Sequence, residues 1–411
     1  MSANDTRDRV LDHSALNYDG YRNALTDQPL PAALVDMTLF EQNLRELLTR
    51  AGDLPLRIAS KSVRCPALLR HALAFDDRCR GLMCFHMREA CALAAMGFDD
   101  LLVAYPSCQP ADVAAVCAAV ANGASITLMV DCPAQVERIA AIAAEQGVVL
   151  PLCLDVDMSW HLPGLNFGVY RSPVRHVAAA LAVYRVIAQS DAVRLEGVMG
   201  YEAQIAGLGD QVPGQALKNR LIRLLKRGSV PRLQALRGEV VAALREAGAP
   251  LRFVNGGGTG SLDSTRQDPA VTEVTAGSGL YAPTQFDHYR DLHYAPAALF
   301  ALEVVRQPDA GRVTCLGGGY IASGGISPGK APVPVWPRGL MLEPNEGAGE
   351  VQTPLRRKDP AATLPGIGDP VFFRHAKAGE LCERFNHLLL IRDGRVVDTV
   401  DTYRGLGWQF V

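Results

Sequence analysis

Leu54-Pro55-Leu56-Arg57-Ile58-Ala59-Ser60-Lys61 is a short apolar run that ends on a lysine, and Ser62-Val63-Arg64-Cys65-Pro66 follows it. A run of this length, closed by a loop and by a proline suited to a first helical turn, reads as a strand leading into a helix. Lys61 then stands where the strand gives way to loop. Far downstream come Asn255-Gly256-Gly257-Gly258-Thr259-Gly260-Ser261 and Thr275-Ala276-Gly277-Ser278-Gly279. Each is a small-residue loop behind another short apolar run. Such loops can hold a phosphate dianion with backbone N–H groups.

Working outward, residues 30 to 285 alternate short apolar runs with alanine-rich amphipathic segments. The strand candidates are Ala33–Asp36, Arg57–Ser60, Gly81–Cys84, Leu101–Ala104, Ile126–Val130, Leu150–Asp155, Leu195–Met199, Arg252–Asn255 and Glu273–Thr275. They lack polar alternation, as parallel strands covered on both faces do. Between them, Thr38 and Glu41 form a capping-box pattern, and Gly52, Gly97, Gly123 and Gly147 mark helix ends. A doubly wound sheet would give similar alternation, but the strand count favours a barrel. Beyond residue 290 the pattern changes to Gly- and Pro-rich turns and the runs Ala301–Val305, Val313–Leu316, Val371–Phe373, Leu388–Ile391 and Val396–Val400. Arg392-Asp393-Gly394-Arg395 signals a hairpin turn. The expected fold is α/β: a TIM-like (β/α)8 barrel over residues 30–288, with 1–29 and 289–411 forming a mostly antiparallel β domain.

Composition sets bounds. The chain has 411 residues, 48% hydrophobic and 20% charged, enough for two domains. A net charge of −2 gives no global field for nucleic acid or an acidic membrane. The basic stretch within Ala206–Arg237 reads as a solvated helix face. Met1 to Arg22 has no signal or transit character, and no run approaches the ~18 apolar residues of a membrane span. Ten cysteines without C-x-x-C spacing suggest packed thiols in a reduced cytoplasm.

Active sites of barrels occupy the C-terminal rim of the strands, where Lys61 is placed. Arg64 beside it is expected to favour a nucleophilic amine. Phosphate sites in barrels often use the loops after the last two strands, where Gly256–Ser261 and Gly277–Gly279 fall. Thr259 and Ser278 can add hydroxyl donors, while Glu273 is expected to stay clear of the dianion. An amine for an aldehyde and a cradle for a phosphate together suit pyridoxal 5'-phosphate. Gly317-Gly318-Gly319-Tyr320 precedes no helix, so it reads as a turn, with Tyr320 directed toward a pocket at the domain junction.

The chain resembles the fold-type III pyridoxal-phosphate enzymes, the group of alanine racemase, D-serine dehydratase and D-threonine aldolase. The resemblance rests on Leu30–Asp36, Arg57–Ser62, Glu89-Ala90, Leu102–Pro106 and Gly197–Gln204. It is nearest the D-threonine aldolase and D-serine dehydratase branch, which includes proteins described as amino-acid deaminase/aldolase. It implies a Schiff base on Lys61 and cofactor contacts from Arg171, Tyr201, Gln204, Gly257, Gly258, Thr259, Gly277 and Ser278. The histidine usual after strand six is replaced within Tyr201–Gln204. The arginine usual after strand five is displaced, with His161 and Arg171 as nearby substitutes. At the place of the family's metal pair the chain has Glu380-x-Cys382, and His375 lies five residues before Glu380. These imply a divalent metal (Mn, Zn or Mg) on Glu380 and Cys382, or a metal-free acid/base role for His375 or Glu380.

The implied activity is a lyase acting on a small-molecule D-β-hydroxy-α-amino acid, cleaving Cα–Cβ to give glycine and an aldehyde. Dehydratase/deaminase and racemase chemistry remain open, since the residues do not decide which bond at Cα breaks. A non-catalytic pyridoxal-phosphate carrier is the third reading, and the large C-terminal domain argues against it. The resemblance also implies a homodimer.

Overall fold

Eight of the nine expected strands close on themselves, and the ninth joins another sheet. The computed structural model describes residues 16–325 and 327–411. The first eleven strands are β1 (Ala32–Asp36), β2 (Leu56–Ala59), β3 (Cys79–Cys84), β4 (Leu101–Val103), β5 (Ile126–Val130), β6 (Leu150–Asp155), β7 (Trp160–Leu162), β8 (Leu165–Phe167), β9 (Val193–Gly200), β10 (Phe253–Gly256) and β11 (Glu273–Ala276). The closed barrel runs β10-β11-β2-β3-β4-β5-β6-β9, and all its pairings are parallel. β7 and β8 form a separate hairpin between β6 and β9. Both faces of the strands are covered. In β5, Leu128 and Val130 join the outer core under the helices, while Met129 packs with Leu102, Cys153, Met199 and Phe253 inside the barrel.

The remaining strands are β12 (Ala298–Asp309), β13 (Arg312–Leu316), β14 (Val333–Trp336), β15 (Leu340–Leu342), β16 (Gln352–Arg357), β17 (Pro370–Arg374), β18 (His387–Arg392) and β19 (Arg395–Asp401). They build one mostly antiparallel sheet, and β1 lies inside it, antiparallel to β12 and parallel to β18. Expecting Ala33–Asp36 to open the barrel was therefore wrong. A short run buried along its whole length reads the same in either sheet, and only long-range pairing decides. β14, β15 and β16 were not foreseen, because prolines at 334, 337 and 354 mask them. Residues 1–15 of the expected N-terminal contribution lie outside the described residues. From residue 16 the chain forms a helix, Tyr18–Ala24, and no strand before β1.

Helix Met37–Ala51 links the two units. Its cap is Asp36, not the expected Thr38: Leu39 N–H donates to Asp36 Oδ1 at 3.2 Å, and Tyr21 O–H donates to Oδ2 at 3.0 Å. Further along, Asn43 donates to the carbonyls of Leu280 (3.1 Å) and Ala295 (2.7 Å), fixing this helix to the chain behind β11. The glycine stops at 52, 97, 123 and 147 all have positive φ, and the Asp393-Gly394 turn has φ 51° and 73°. The basic insertion forms one long helix, Ala216–Glu246, with Leu221 and Leu224 on its surface. No helix among the described residues is long and apolar enough to cross a membrane.

Asp36→Ala removes the cap and strands the Tyr21 hydroxyl. We expect a loss of about 1–2 kcal/mol in unfolding free energy by denaturant titration; an unchanged midpoint would show that Asp36 does not hold this junction.

Candidate active site

β2 delivers Lys61 to the C-terminal mouth of the barrel, on a single 3-10 turn, Ser60–Ser62. The side chain enters a cavity of about 360 Å³. Lys61 Nζ lies 2.6 Å from the Tyr105 hydroxyl, which stands behind β4. Burial works to raise the Tyr105 phenol, but the Lys61 charge, its hydrogen bond and Arg171 outweigh it and lower the pKa. Arg64, expected beside the amine, turns away: Nε bonds the Lys61 carbonyl at 3.1 Å, and the guanidinium pairs with Glu383 and covers Phe85.

The two glycine loops form another wall of the same cavity, through Gly257, Gly258, Thr259, Gly277 and Ser278. The Ser278 and Ser62 hydroxyls meet at 2.9 Å, tying this wall to the lysine turn. Thr259 Oγ1 accepts from Gly279 N–H at 3.1 Å. Gly257 N–H is already engaged: it donates to Glu202 Oε2 at 2.8 Å. Glu202 in turn is paired with Arg237, which also binds Asp268 and donates to Gly200 O at 2.9 Å. All three charged side chains are 2% exposed or less. The Glu202 charge beside the loop is thus partly offset by a buried guanidinium that Asp268 shares. Among the described residues, the N–H groups of Gly258, Thr259 and Ser278 make no backbone hydrogen bond. Side chains cannot replace these glycines: a Cβ on Gly258 would stand 2.9 Å from Tyr201 Cε2, and one on Gly277 2.7 Å from Ala59 O. A cradle of open N–H groups opposite an amine fits a phosphorylated aldehyde such as pyridoxal 5'-phosphate. Glu273 stays clear, bonded to Arg57 and Asn255 inside the barrel.

Tyr201 and Arg171 also line the cavity. The Arg171 guanidinium lies 5.9 Å from the Tyr105 ring centre and 5.7 Å from that of Tyr201. Burial pushes the Tyr201 phenol up to about 12. Facing them are Asp131 and Asp155, at the ends of β5 and β6. Asp155 is 9% exposed and its carboxyl has no hydrogen-bond partner among the described residues. Burial first, and the Asp131 charge second, raise its pKa to about 7, with Arg171 opposing.

Beneath the lysine turn lies a buried polar knot. Glu89, fully buried, accepts from Tyr403 O–H (2.8 Å) and Phe85 N–H (2.6 Å), while the Ser60 hydroxyl nearby donates to Met83 O at 3.0 Å. Burial raises this carboxyl to about 7. Tyr403 comes from the C-terminal tail, so both domains support the strand that carries Lys61.

Four expected site residues lie elsewhere. Gln204 is buried behind the wall and donates to Met158 O at 2.5 Å, because the one-turn helix after β9 points it inward. His375 lies outside the barrel-mouth cavity, on a second one at the domain junction that Tyr320 also lines. Burial and Arg374 pull its pKa down to about 3, with the Ala378 backbone opposing, so the imidazole is neutral, and among the described residues neither ring nitrogen has a partner at hydrogen-bond geometry. Glu380 and Cys382 sit on one 3-10 turn, Ala378–Glu383, but face apart. Glu380 accepts from Ser323 N–H (2.8 Å) and from the Ser323 hydroxyl. The Cys382 thiol is fully buried, donates to Val63 O at 3.2 Å, and has its pKa raised by that burial. No group of three or more His, Cys, Asp or Glu among the described residues is arranged to hold a metal ion. Glu380 and Cys382, turned apart and each already hydrogen-bonded, do not together fit a divalent metal.

Tyr105, Asp131 and Asp155 were missed as site residues. Each follows or ends a short apolar strand, which is the available signal, since barrel chemistry sits there. Nothing local marks Arg237 as the partner of Glu202, because the pairing spans 35 residues.

The family described as alanine racemase, N-terminal domain, matches residues 35–285. The D-threonine aldolase of an Arthrobacter species is 25% identical over 381 residues, covering 90% of each chain. The D-threo-3-hydroxyaspartate dehydratase of Delftia sp. (strain HT23) is 28% identical over 252 residues, 60% of each. Among solved structures, D-threonine aldolase from Filomicrobium marinum superposes with a TM-score of 0.77 at 19% identity, covering 93% of this chain and 97% of that one.

Arg237→Met would leave two buried carboxylates without their cation. A loss of roughly 3–5 kcal/mol is expected, read as a fall in the denaturation midpoint; a change below about 1 kcal/mol would refute the role given to the pair. Glu89 gives a pH signature. Its folded pKa of about 7 lies above the ordinary 4.5, so the folded state keeps a proton the unfolded state loses. Stability should therefore fall as pH rises from about 4.5 to about 7, by roughly 3 kcal/mol from this group alone. Glu89→Gln should make that slope shallower, with Asp155 supplying what remains, and a parallel profile would show that Glu89 is ionised throughout.

Proposed function

Because the chain belongs to the family of the alanine racemase N-terminal domain, we propose that it is a pyridoxal 5'-phosphate-dependent lyase that cleaves Cα–Cβ of a D-β-hydroxy-α-amino acid, giving glycine and an aldehyde. The observation that carries this reading is one cavity with the Lys61 amine on one wall and the open N–H groups of the glycine loops on another. The D-threonine aldolase of the Arthrobacter species, similar over nine-tenths of both chains, supports the bond chosen.

When bound, pyridoxal 5'-phosphate supplies an electron sink for the pair left on Cα. The chain's own groups do the rest. Gly258, Thr259, Gly277 and Ser278 would hold the phosphate through N–H and hydroxyl donors, and Gly257 shapes the loop while Glu202 occupies its N–H. Lys61 would supply the amine that holds the aldehyde. Tyr105, at hydrogen-bond distance from Nζ and with a lowered pKa, takes and returns the proton there. Arg171 lies beside the phenols as a positive charge for the ring oxygen of the cofactor. Asp155, unpaired and raised to about 7, accepts the β-hydroxyl proton near neutral pH. His375 lines the other cavity, away from that task. In the elimination alternative the same Asp155 would protonate the departing hydroxyl, and the similarity to the Delftia dehydratase favours keeping that reading. The proposal includes a cytoplasmic homodimer that takes a small amino acid and neither nucleic acid nor membrane.

Purified protein loaded with the cofactor and given D-threonine or D-phenylserine should release glycine and the matching aldehyde. Lys61→Ala should abolish turnover and the borohydride-sensitive visible absorbance together. Ammonia and a 2-oxo acid instead would move the assignment to elimination. No product from any D-β-hydroxy amino acid would reject both.

A further inference from the structure

The second cavity, about 260 Å³, lies close behind the lysine turn. The turn Ala378–Glu383 packs directly on Ser60–Ser62: a Cβ on Gly379 would stand only 1.8 Å from the Lys61 carbonyl oxygen. A divalent cation here would need several free donors converging on one point, and both expected ligands are otherwise engaged. The thiol of Cys382 points at Val63 O, and the Glu380 carboxylate is bound by Ser323.

Positive charge is nevertheless built in at this place. Lys377 Nζ donates to Ser323 Oγ at 2.9 Å and lies 3.6 Å from Glu380 Oε1. Lys330 is drawn in beside it: the position a Cβ would take on Gly324 is 3.2 Å from Lys330 Nζ and 3.8 Å from Lys377 Nζ. Burial, and then the Lys377 charge, lower the Lys330 pKa, as expected for like charges held together. Arg384 adds a third cation on the cavity wall. Against these stands Glu380, since Glu383 is paired with Arg64. His375 supplies a separate pointer to a ligand. It is 4% exposed, neutral, lines this cavity, and among the described residues neither of its nitrogens has a partner at hydrogen-bond geometry. A neutral imidazole carries one N–H to give, and an unsatisfied buried donor is costly unless something accepts from it.

We propose that this chain carries its own cation in place of a divalent metal: Lys377, set by Ser323 and Glu380 and reinforced by Lys330, makes the second cavity a binding site for a small carboxylate. The lysine ammoniums supply the charge and His375 a neutral donor. No metal ion enters the site, because the thiol that would ligate it is part of the packing under Val63. The inference goes beyond the lyase reading, since neither the metal content nor the anion binding depends on which bond is cleaved.

The test uses the full chain saturated with pyridoxal 5'-phosphate, which keeps the glycine cradle filled. Metal analysis of the purified protein should find manganese, zinc and magnesium far below one ion per chain. The melting temperature should not change with chelator, Mn²⁺ or Zn²⁺. Malonate should raise it relative to chloride at equal ionic strength, and Lys377→Met should lose that rise while Lys218→Met, at an exposed lysine outside both cavities, keeps it. A metal ion near one per chain, a melting point lowered by chelator, or a malonate effect that survives Lys377→Met would each overturn the proposal.

Discussion

The rim of this barrel depends on a buried guanidinium. Arg237 leaves the long helix after β9 and reaches Glu202 on the loop following that strand, Asp268 ahead of β11, and the Gly200 carbonyl. Burying three charges costs several kcal/mol per ion unless each finds its partner. Here one cation faces two anions, and Glu202 further accepts from Gly257 N–H and lies 3.5 Å from the Ser261 hydroxyl. The arrangement fixes the loop after β10 from below. It also offsets the negative charge of Glu202 beside that loop. Without Arg237, Glu202 would stand as a bare negative charge beside the N–H groups suited to a phosphate. With it, the loop can present amide donors without a basic side chain of its own.

Across the mouth the logic is reversed. Lys61 and Arg171 bring positive charge against two phenols, and Asp131 and Asp155 face them from β5 and β6. The consequences follow from distance and burial. Tyr105, within 2.6 Å of an amine, is easier to ionise, whereas Tyr201, more deeply desolvated, is harder. Asp155 sits near neutrality because Arg171 only partly offsets burial and its acidic neighbours. Groups whose environments push their pKa values apart are the ones that can divide acid and base work.

Much of this was legible from the chain. Period and glycine stops marked the strand–helix alternation, and the rim rule of barrels placed Lys61 and both loops on one mouth. What failed to read were features fixed by pairing across long sequence separations. β1 looks like any buried strand, and only its ladders with β12 and β18 remove it from the barrel. Strands with prolines, such as β14 and β16, are hidden by the residue that normally forbids them. Arg237 belongs to a run of helix charges, and its sequence context does not set it apart from Arg223 or Arg227. Gln204 matched a family segment, yet one turn of helix rotates it behind the wall.

The second domain is joined to the chemistry through packing. Gly379 leaves no room between its backbone and the Lys61 carbonyl, and Tyr403 reaches through the tail to the carboxylate below Ser60. A sheet domain that merely covered the barrel would need neither contact. The same closeness explains the fate of Cys382. Packed against Val63 and Tyr281 with no exposed surface, its sulfur behaves as a small hydrophobe, and burial keeps the thiol protonated. A ligand must be a thiolate with room for an ion. The turn that seats the domain on the lysine strand thus removes the donor a metal would require, and leaves the charge at that junction to lysine.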